Sequence, residues 1–464
     1  MPSNKKIHFE ISERKILLRI VDIAVVLFAL YVIGIISNFN YFQITKSNFY
    51  WTIVLSFYLI VVGTIFEMYN LQMASSRVQM VRSCILTTFV TCVLYFLTPK
   101  ITPVLPENRL QILYFFFAIL SALFLWRWFY IQFLATNRFT KSIVFIGDST
   151  TIHDQIKSLS KGNINFKIAG FLPLDNNTAV IDEASNAKQL TINSFESFIN
   201  EYHIKEVIVS NSALVTITYE VYQMLLQLLE NGIVIQKYAD VYEQVNNRLP
   251  LQYNDAELYR FFPFSRNNKN RLYLLSSRFL DYIFSIFGLL VMLVFIPFVG
   301  FFNIFWNKGP LFYKQERVGK NGKNFTIFKF RTMVTDAEKN GAVYATVNDA
   351  RITPFGKFLR KSRIDELPQF INVLKGEMAV IGPRPERPVF VNQIAQDIHL
   401  YKTRHVIKPG LTGWAQVNYS YGENIEDSLM KLRYDLYYIK HRSIFLDFNI
   451  ILKTLSTVLF FRGQ

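Results

Sequence analysis

"SRIDELPQFINVLKGEMAVIGPRPERP", from Ser362 to Pro388, sets two adjacent carboxylates, Asp365 and Glu366, ahead of an apolar stretch that closes on Pro-Arg-Pro. Adjacent residues of a helix point in different directions, so the two acids are free to do different jobs. Taken alone, acids that begin a helix are a cap interacting with its dipole. Their neighbours argue for more. Pro383 and Pro385 flank Arg384 and stiffen its backbone, which displays the guanidinium for a bidentate grip on phosphate. Downstream, "RHVIKPGLTGWAQV" (Arg404–Val417) adds Arg404 and Lys408 beside a Pro-Gly turn. Gly410 and Gly413 in it are predicted to let a ligand approach the backbone closely.

Upstream lies "GPLFYKQERVGKNGKNFTIFKFRTM" (Gly309–Met333). Its "GKNGK" does not meet the Walker spacing of a phosphate loop. Asn321-Gly322 between alternating segments predicts a hairpin turn instead. Arg317, Lys329 and Arg331 are then expected to bring positive charge towards phosphates, and Lys314 either towards phosphates or towards lipid headgroups. Carboxylates amid converging cations suit phosphoryl transfer assisted by Mg2+.

The rest of the chain says where this chemistry would happen. Across 464 residues, 51% are hydrophobic, the mean hydropathy is +0.21 and the formal charge is +16. Such a charge suits an anionic partner, either nucleic acid or an anionic membrane face. The basic residues track the edges of apolar segments and no nucleic-acid recognition motif appears, so the membrane is the expected partner, with no nucleic acid. Four apolar segments, Leu17–Ile36, Tyr50–Met68, Ser83–Leu97 and Leu110–Phe133, roughly meet the ~20 residues needed to cross hydrocarbon. The first lacks a small-residue cleavage site and is expected to be retained. Lys5, Lys6, Arg14, Lys15 and Arg19 precede it, Arg77 and Arg82 lie between the second and third, and Arg138 and Lys141 follow the fourth. The opposite loops carry only Lys46, Lys100 and Arg109, so both ends of the unit are predicted to be cytoplasmic. Cys84 and Cys92, the two cysteines, fall in one apolar segment with no metal or disulfide spacing.

From Lys141 the pattern becomes strands alternating with helices: "SIVFIGD", "FKIAGFL", "IKEVIVSN" and "IVIQKYA", with "TYEVYQMLLQLLENG" helical before the last. This argues for a small parallel α/β domain of Rossmann type. Only Gly147 stands where the dinucleotide fingerprint needs three glycines, so a structural or regulatory role is expected. Asn246 to Arg271 reads as a polar linker. "LDYIFSIFGLLVMLVFIPFVGFFNIFW" (Leu280–Trp306) is a fifth run of spanning length. Basic residues flank both its ends, Pro297 interrupts it and Asp281 stands at its entrance, which together predict a re-entrant helix that bends and leaves by the same face. Pro354–Ser362, with Phe355, Phe358 and Leu359 on one face, and Ile444–Phe461, interrupted by Asp447 and Lys453, are expected to lie on the membrane surface. For the second, an ordinary amphipathic helix packed on a core is an equal expectation.

Together, "QERVGKNGKNFTIFKFRTM", "SRIDELPQFINVLKGEMAVIGPRPERP" and "KPGLTGWAQV" strongly resemble the bacterial sugar transferases, the monotopic phosphoglycosyl transferases. The resemblance covers about Arg271 to Gln464, and four spans plus a Rossmann-like domain resemble the large form of the family. It implies a membrane protein of mixed class: a four-helix transmembrane bundle (1–138), a Rossmann-like α/β domain (139–245), a linker (246–270) and an α/β catalytic domain (271–464). The last would contain a re-entrant helix (280–306) and interfacial helices. The resemblance further implies transfer of a sugar-1-phosphate from a UDP-sugar to undecaprenyl phosphate, with release of UMP, at the cytoplasmic face of the bacterial inner membrane. In this family pattern Asp365 is the nucleophile that forms a phosphoryl-aspartate. Glu366 supports Mg2+ binding or proton handling, and the pair Asp365 and Glu366 forms the metal site. Arg384 holds the nucleotide or its diphosphate; the reading of the residues above adds Arg331, Lys329, Arg317, Arg404 and Lys408 as further substrate-binding cations. Arg278 and Asp281 match the charged pair that anchors the re-entrant helix. The family's helix break is often Ser-Pro, whereas this chain has Ile296-Pro297.

Two other readings remain open at this level. An ordinary glycosyl transfer would release UDP rather than UMP, and a membrane scaffold or sensor would function without Asp365. The identity of the sugar and any assembly into a homo-oligomer are left open. His405 and His441 show no metal spacing and are expected to be structural.

Overall fold

The computed structural model describes residues 11–459 apart from 37–38, 40, 43–44, 46–47, 67, 70–76, 135–140, 161–165, 176–186, 211–216, 252–267, 269, 338, 340, 342–348 and 420–423. Lys5, Lys6, Lys46 and Arg138, used above for orientation, and most of the expected linker lie outside the described residues. The chain divides into two compact units, Met1–Val241 and Tyr242–Gln464.

The first unit opens with four apolar helices: α1 (Ile11–Ile36), α2 (Phe49–Ile65), α3 (Arg77–Phe96) and α4 (Leu110–Phe129), the last continued by a π turn to Leu134. Val26 and Leu30 of α1, Leu59 of α2, Cys84 and Tyr95 of α3 and Ile119 of α4 share one buried core. Among the described residues, three helices are long and apolar enough to cross a membrane, at Lys15–Ile36, Leu110–Phe133 and Arg271–Trp306. They mark the chain as membrane-associated. α2 and the apolar part of α3 (Met80–Phe96) are shorter.

A parallel sheet follows, with strands β1 (Lys141–Gly147), β2 (Phe166–Pro173), β3 (Lys188–Gln189), β4 (Glu206–Val209) and β5 (Val234–Lys237) in the order β3-β2-β1-β4-β5. This is the Rossmann order 3-2-1-4-5-6 without its sixth strand. Its central strands are runs of Val, Ile and Phe that bury both faces, as parallel strands covered by helices must. The covering helices are α5 (Ser149–Ser160), α6 (Ile192–Glu201) and α7 (Tyr219–Glu230). Gly147 is required where β1 turns into α5, because a Cβ there would press on Ser210. The run expected as the strand "IVIQKYA" stops at Lys237 and becomes α8 (Tyr238–Asn246).

The second unit is built on α9 (Arg271–Trp306), a helix of 36 residues whose cap Asn270 accepts from the amides of Leu272 and Tyr273. It continues helical through Pro297. One side of it lies along the α/β body over most of its length. Asp281 accepts from the Val380 amide, a Cβ on Gly288 would run into the Phe370 ring, and Phe302 packs on Phe355. The other side exposes Phe279, Phe287, Leu290, Leu293, Val294 and Phe305.

After α9 come the antiparallel hairpin β6 (Phe312–Val318) and β7 (Asn324–Phe330), then α10 (Pro354–Lys361) and a 3-10 turn (Ile364–Gln369). Asn321 and Gly322 both have positive φ in the hairpin connection, the conformation that Asn-Gly favours. α11 (Phe370–Lys375) ends on Gly376 at φ 85, and β8 (Ala379–Ile381) then pairs in parallel with β9 (Gly410–Thr412). Between them lie α12 (Pro388–Asp397) and a 3-10 turn (Tyr401–Val406), and after β9 come α13 (Trp414–Asn418), α14 (Ile425–His441) and α15 (Ile444–Leu459).

Two expectations are corrected here, and for α15 the alternative of an amphipathic helix packed on a core is the one found. Leu249 and Leu251, placed in the linker, are buried in the second unit's core with Phe390, Leu432 and Leu436, and Arg433 donates to the Leu251 carbonyl. Phe355 and Leu359 of α10 turn inward onto Val299 and Phe330, which leaves Phe358 exposed. The polar residues of α15 also face inward, since Asp447 accepts from Tyr273 and Tyr438 and Lys453 donates to Asn418. Its apolar Phe445 and Phe448 are the outer face. In each case satisfying a hydrogen bond or filling the core outweighs the local apolar pattern.

Candidate active site

Arg363, at φ 60, turns the chain out of α10 into the 3-10 turn that carries Asp365 and Glu366. Both acids are buried. Their surroundings differ sharply. Glu366 Oε1 accepts from Lys329 Nζ at 3.2 Å and from Arg384 at 3.1 Å, while Oε2 accepts from Arg363 at 3.2 Å. Burial alone would raise its pKa, but Lys329, Arg384 and Arg363 together hold the carboxyl well below its ordinary range. Asp365 accepts no hydrogen bond among the described residues. Burial, with the neighbouring Glu366 charge, pushes it up to about 6 against the pull of Lys329.

Long-range packing builds this arrangement. Asn372, fully buried, donates to the Thr326 carbonyl and accepts from the Phe328 amide, which docks β7 on α11 and sets Lys329 beside Glu366. Burial lowers the Lys329 pKa and Glu366 opposes that. Neither Arg363 nor Asn372 was among the expected site residues. Arg363 could have been found from its position three residues before Glu366, and Asn372 from its polarity within an apolar run.

Of the expected cations, the structure brings Lys329 and Arg384 to the carboxylates and engages the others elsewhere. Arg331 is buried and gives its guanidinium to Asn303, Asn307 and the Pro310 and Met333 carbonyls, fastening the end of α9 to the hairpin. Arg404 is paired with Asp435 at 2.6 Å and donates to Tyr401 and to the Arg384 carbonyl. Arg317 donates to the Pro385 carbonyl and pairs with Glu386 at 3.5 Å. Lys408 lies beside Arg278 at Gly376, near Asp281. Lys314 stands over the Phe328 ring. Gly410 and Gly413, expected to admit a ligand, admit protein backbone: a Cβ on either would collide with Gly382.

Arg278 donates to the Val373 and Leu374 carbonyls that end α11, and Asp281 holds the Val380 amide at 2.8 Å. The two lie 3.9 Å apart and tie the first half of α9 to the segment between α11 and β8. Pro297 lies inside α9, near the Val299, Phe355 and Leu359 contacts.

No group of three or more His, Cys, Asp or Glu side chains suited to a metal occurs among the described residues. Magnesium does not require one, because it keeps several waters and binds through one or two carboxylates plus substrate phosphates. The Asp365 carboxylate, buried and without a hydrogen bond among the described residues, is a fitting hard-oxygen donor. Glu366 is already engaged by three cations and suits a supporting place.

Residues 272–461 match the family model described as bacterial sugar transferase. The chain is 49% identical over 151 residues to an Aeromonas hydrophila UDP-N-acetylgalactosamine-undecaprenyl-phosphate N-acetylgalactosaminephosphotransferase, covering 32% of this chain and 36% of that protein. It is 49% identical over 154 residues to a Xanthomonas campestris pv. campestris UDP-glucose:undecaprenyl-phosphate glucose-1-phosphate transferase, covering 32% of each. A putative undecaprenyl-phosphate N-acetylgalactosaminyl 1-phosphate transferase of Bacillus subtilis (strain 168) is 47% identical over 135 residues, 29% of this chain and 75% of that protein. The match thus spans about a third of the first two relatives and three quarters of the third. With most of the Bacillus protein covered at that identity, this chain belongs to the bacterial sugar transferase family.

Proposed function

We propose that the chain transfers a sugar-1-phosphate from a UDP-sugar to undecaprenyl phosphate, giving undecaprenyl-diphosphate-sugar and UMP. It would be the first membrane step of exopolysaccharide, capsule or related glycan assembly. The observation that carries this reading is the unequal pair: Glu366 neutralised by Lys329, Arg363 and Arg384, next to a buried Asp365 that accepts no hydrogen bond among the described residues.

An Asp365 oxygen attacks the phosphorus that carries the sugar. The bond from that phosphorus to the bridging oxygen breaks, and UMP leaves with the oxygen and its electron pair. A phosphate oxygen of undecaprenyl phosphate then attacks the same phosphorus, the bond to Asp365 breaks and the carboxylate is regenerated. The covalent intermediate lets a soluble and a lipid-borne substrate visit one site in turn. Arg384 and Lys329 hold positive charge beside the reacting phosphate, and Glu366 keeps both cations in place. Asp365, supported by Glu366, would hold Mg2+, which when bound offsets charge on the diphosphate.

The site belongs at headgroup depth, on the cytoplasmic face of the inner membrane. The exposed apolar side of α9 supports a helix that dips into lipid. Its other side is fixed to one α/β body from Asp281 to Asn307, which supports re-entry rather than crossing. α1 to α4 are read as a transmembrane bundle.

The test uses the purified chain with Mg2+ and a panel of UDP-glucose, UDP-galactose and their N-acetylated forms, with and without undecaprenyl phosphate. Lipid-dependent UMP turnover that disappears in Asp365→Asn is expected, with a stoichiometric UMP burst when lipid is omitted. Release of UDP instead would sink the reading.

A further inference from the structure

Four successive carbonyls in the Pro-Arg-Pro turn each accept a hydrogen bond, and the donors come from three elements: β9, the 3-10 turn Tyr401–Val406 and, twice, β6. Pro383 O takes the Gly410 amide at 2.8 Å and Glu386 O takes the Val318 amide at 2.9 Å. Between them, Arg384 O takes Arg404 Nη2 at 3.1 Å and Pro385 O takes Arg317 Nη1 at 3.0 Å. Two prolines deprive this turn of two amide donors, so it must be held from outside through its acceptors.

We propose that Arg317 and Arg404 are positioning residues that clamp this turn from two sides and thereby aim Arg384 at the reacting phosphate, a role that deepens the transferase reading and rests on it. Arg404 comes from the 3-10 turn Tyr401–Val406 and is 4% exposed. Tyr401 at 2.7 Å and Asp435 at 2.6 Å fix its plane, so the bond to Arg384 O has a set direction. Arg317 comes from β6 and is oriented by Glu386 and Gln315. Both guanidiniums are thus engaged by protein at the back of the turn, while the Arg384 side chain reaches Glu366. The separation of duties follows from geometry: a planar fork donates in several set directions at once, which a lysine ammonium on a flexible stem does not. A displacement of about 1 Å at a substrate-binding group costs on the order of 100-fold in rate.

The experiment is a pair of kinetic double-mutant cycles on the full chain, with hydrogen–deuterium exchange of the peptide covering residues 382–387. Arg404→Lys and Arg317→Lys are each made alone and together with Arg384→Gln, and kcat and KM for the UDP-sugar are read from UMP release. Each single variant is expected to lower kcat/KM by roughly 10- to 100-fold. Exchange in the turn should quicken without a matching fall in Tm. In the Arg384→Gln background the same changes should shrink to within about 2-fold, because residues acting through one partner are not additive. Full additivity in that background, or unaltered exchange, would overturn the clamp. If Arg404→Lys does not fold, the Arg317→Lys cycle decides alone. If the parent chain releases no UMP, the transferase reading fails separately, and the exchange measurement still decides whether the clamp exists.

Discussion

The Rossmann-like sheet and the sugar-transferase unit each place a carboxylate beside a ready set of donors, with opposite results. At the start of α5, Asp175 receives the Ser149 amide at 2.8 Å and also the Ser149 hydroxyl. This is where a dinucleotide's pyrophosphate sits in related folds, and here an acid of the chain itself takes the donors. Those bonds hold the Asp175 carboxyl below its ordinary pKa. In the second unit the donors converge on Glu366 and, among the described residues, bypass Asp365, one residue away. A carboxylate whose hydrogen bonds are met is a structural part. One that is buried beside cations with none of its own has acceptor capacity left for a substrate or a metal.

The largest effect that could break this contrast is Asp365→Asn. Transfer should fall by roughly ten-thousand-fold or more, as when a nucleophile is removed, measured as UMP release. Stability should move the other way. Because the folded-state pKa lies near 6, above the ordinary 3.8, the folded chain binds more protons between those values and loses stability as pH rises through them. The Asn variant should therefore melt no lower than the parent above pH 6, with any advantage gone below about pH 4. A markedly lower Tm at pH 7.5 would mean that Asp365 is structural.

Glu366→Gln should come next. It removes the counter-charge from three cations, and breaking a buried pair from one side costs about 3 kcal/mol, read by chemical or thermal unfolding. A loss below about 1 kcal/mol would show that solvent, not Glu366, balances the cluster. The parent's own pH profile is a smaller effect. With Asp365 required as the carboxylate, kcat/KM should decline about tenfold per unit below pH 6. A flat profile down to pH 5 would contradict an ionised Asp365.

The smallest effect belongs to the other region. Asp175→Asn should cost about 1 kcal/mol through the weakened Ser149 bonds and leave UMP release unchanged. Its contribution to stability is present above pH 3.8 and lost as pH falls through the lowered folded-state value. A loss of transfer in this variant would tie the Rossmann-like domain to catalysis.

Particular residues show how far local pattern reaches. The runs "SIVFIG" and "EVIV" alternate with helical segments, and a parallel sheet is what such runs must build to bury both faces. Asn321-Gly322 marks its turn because few other pairs accept positive φ at both positions. Asp365 and Glu366 stand out by adjacency and by their company in the chain. The cations are another matter. Lys329, Arg331, Arg317, Arg404 and Lys408 look equivalent on paper, since each is a basic residue near a turn.

Their fates are set by partners far away in the chain. Lys329 meets Glu366 37 positions on, Arg331 meets Asn307 24 positions back, and Arg404 meets Asp435 31 positions on. The inward turn of Phe355 and Asp447 follows the same rule, because each depends on a surface that another element supplies. Element type, turn chemistry and the identity of the acidic pair were therefore legible from neighbours a few residues apart, where backbone sterics and periodicity act. Which cation reaches the acidic pair, and which of two adjacent acids keeps its lone pairs, depends on desolvation and on charges brought within about 3 Å, and those distances exist only once the chain has packed.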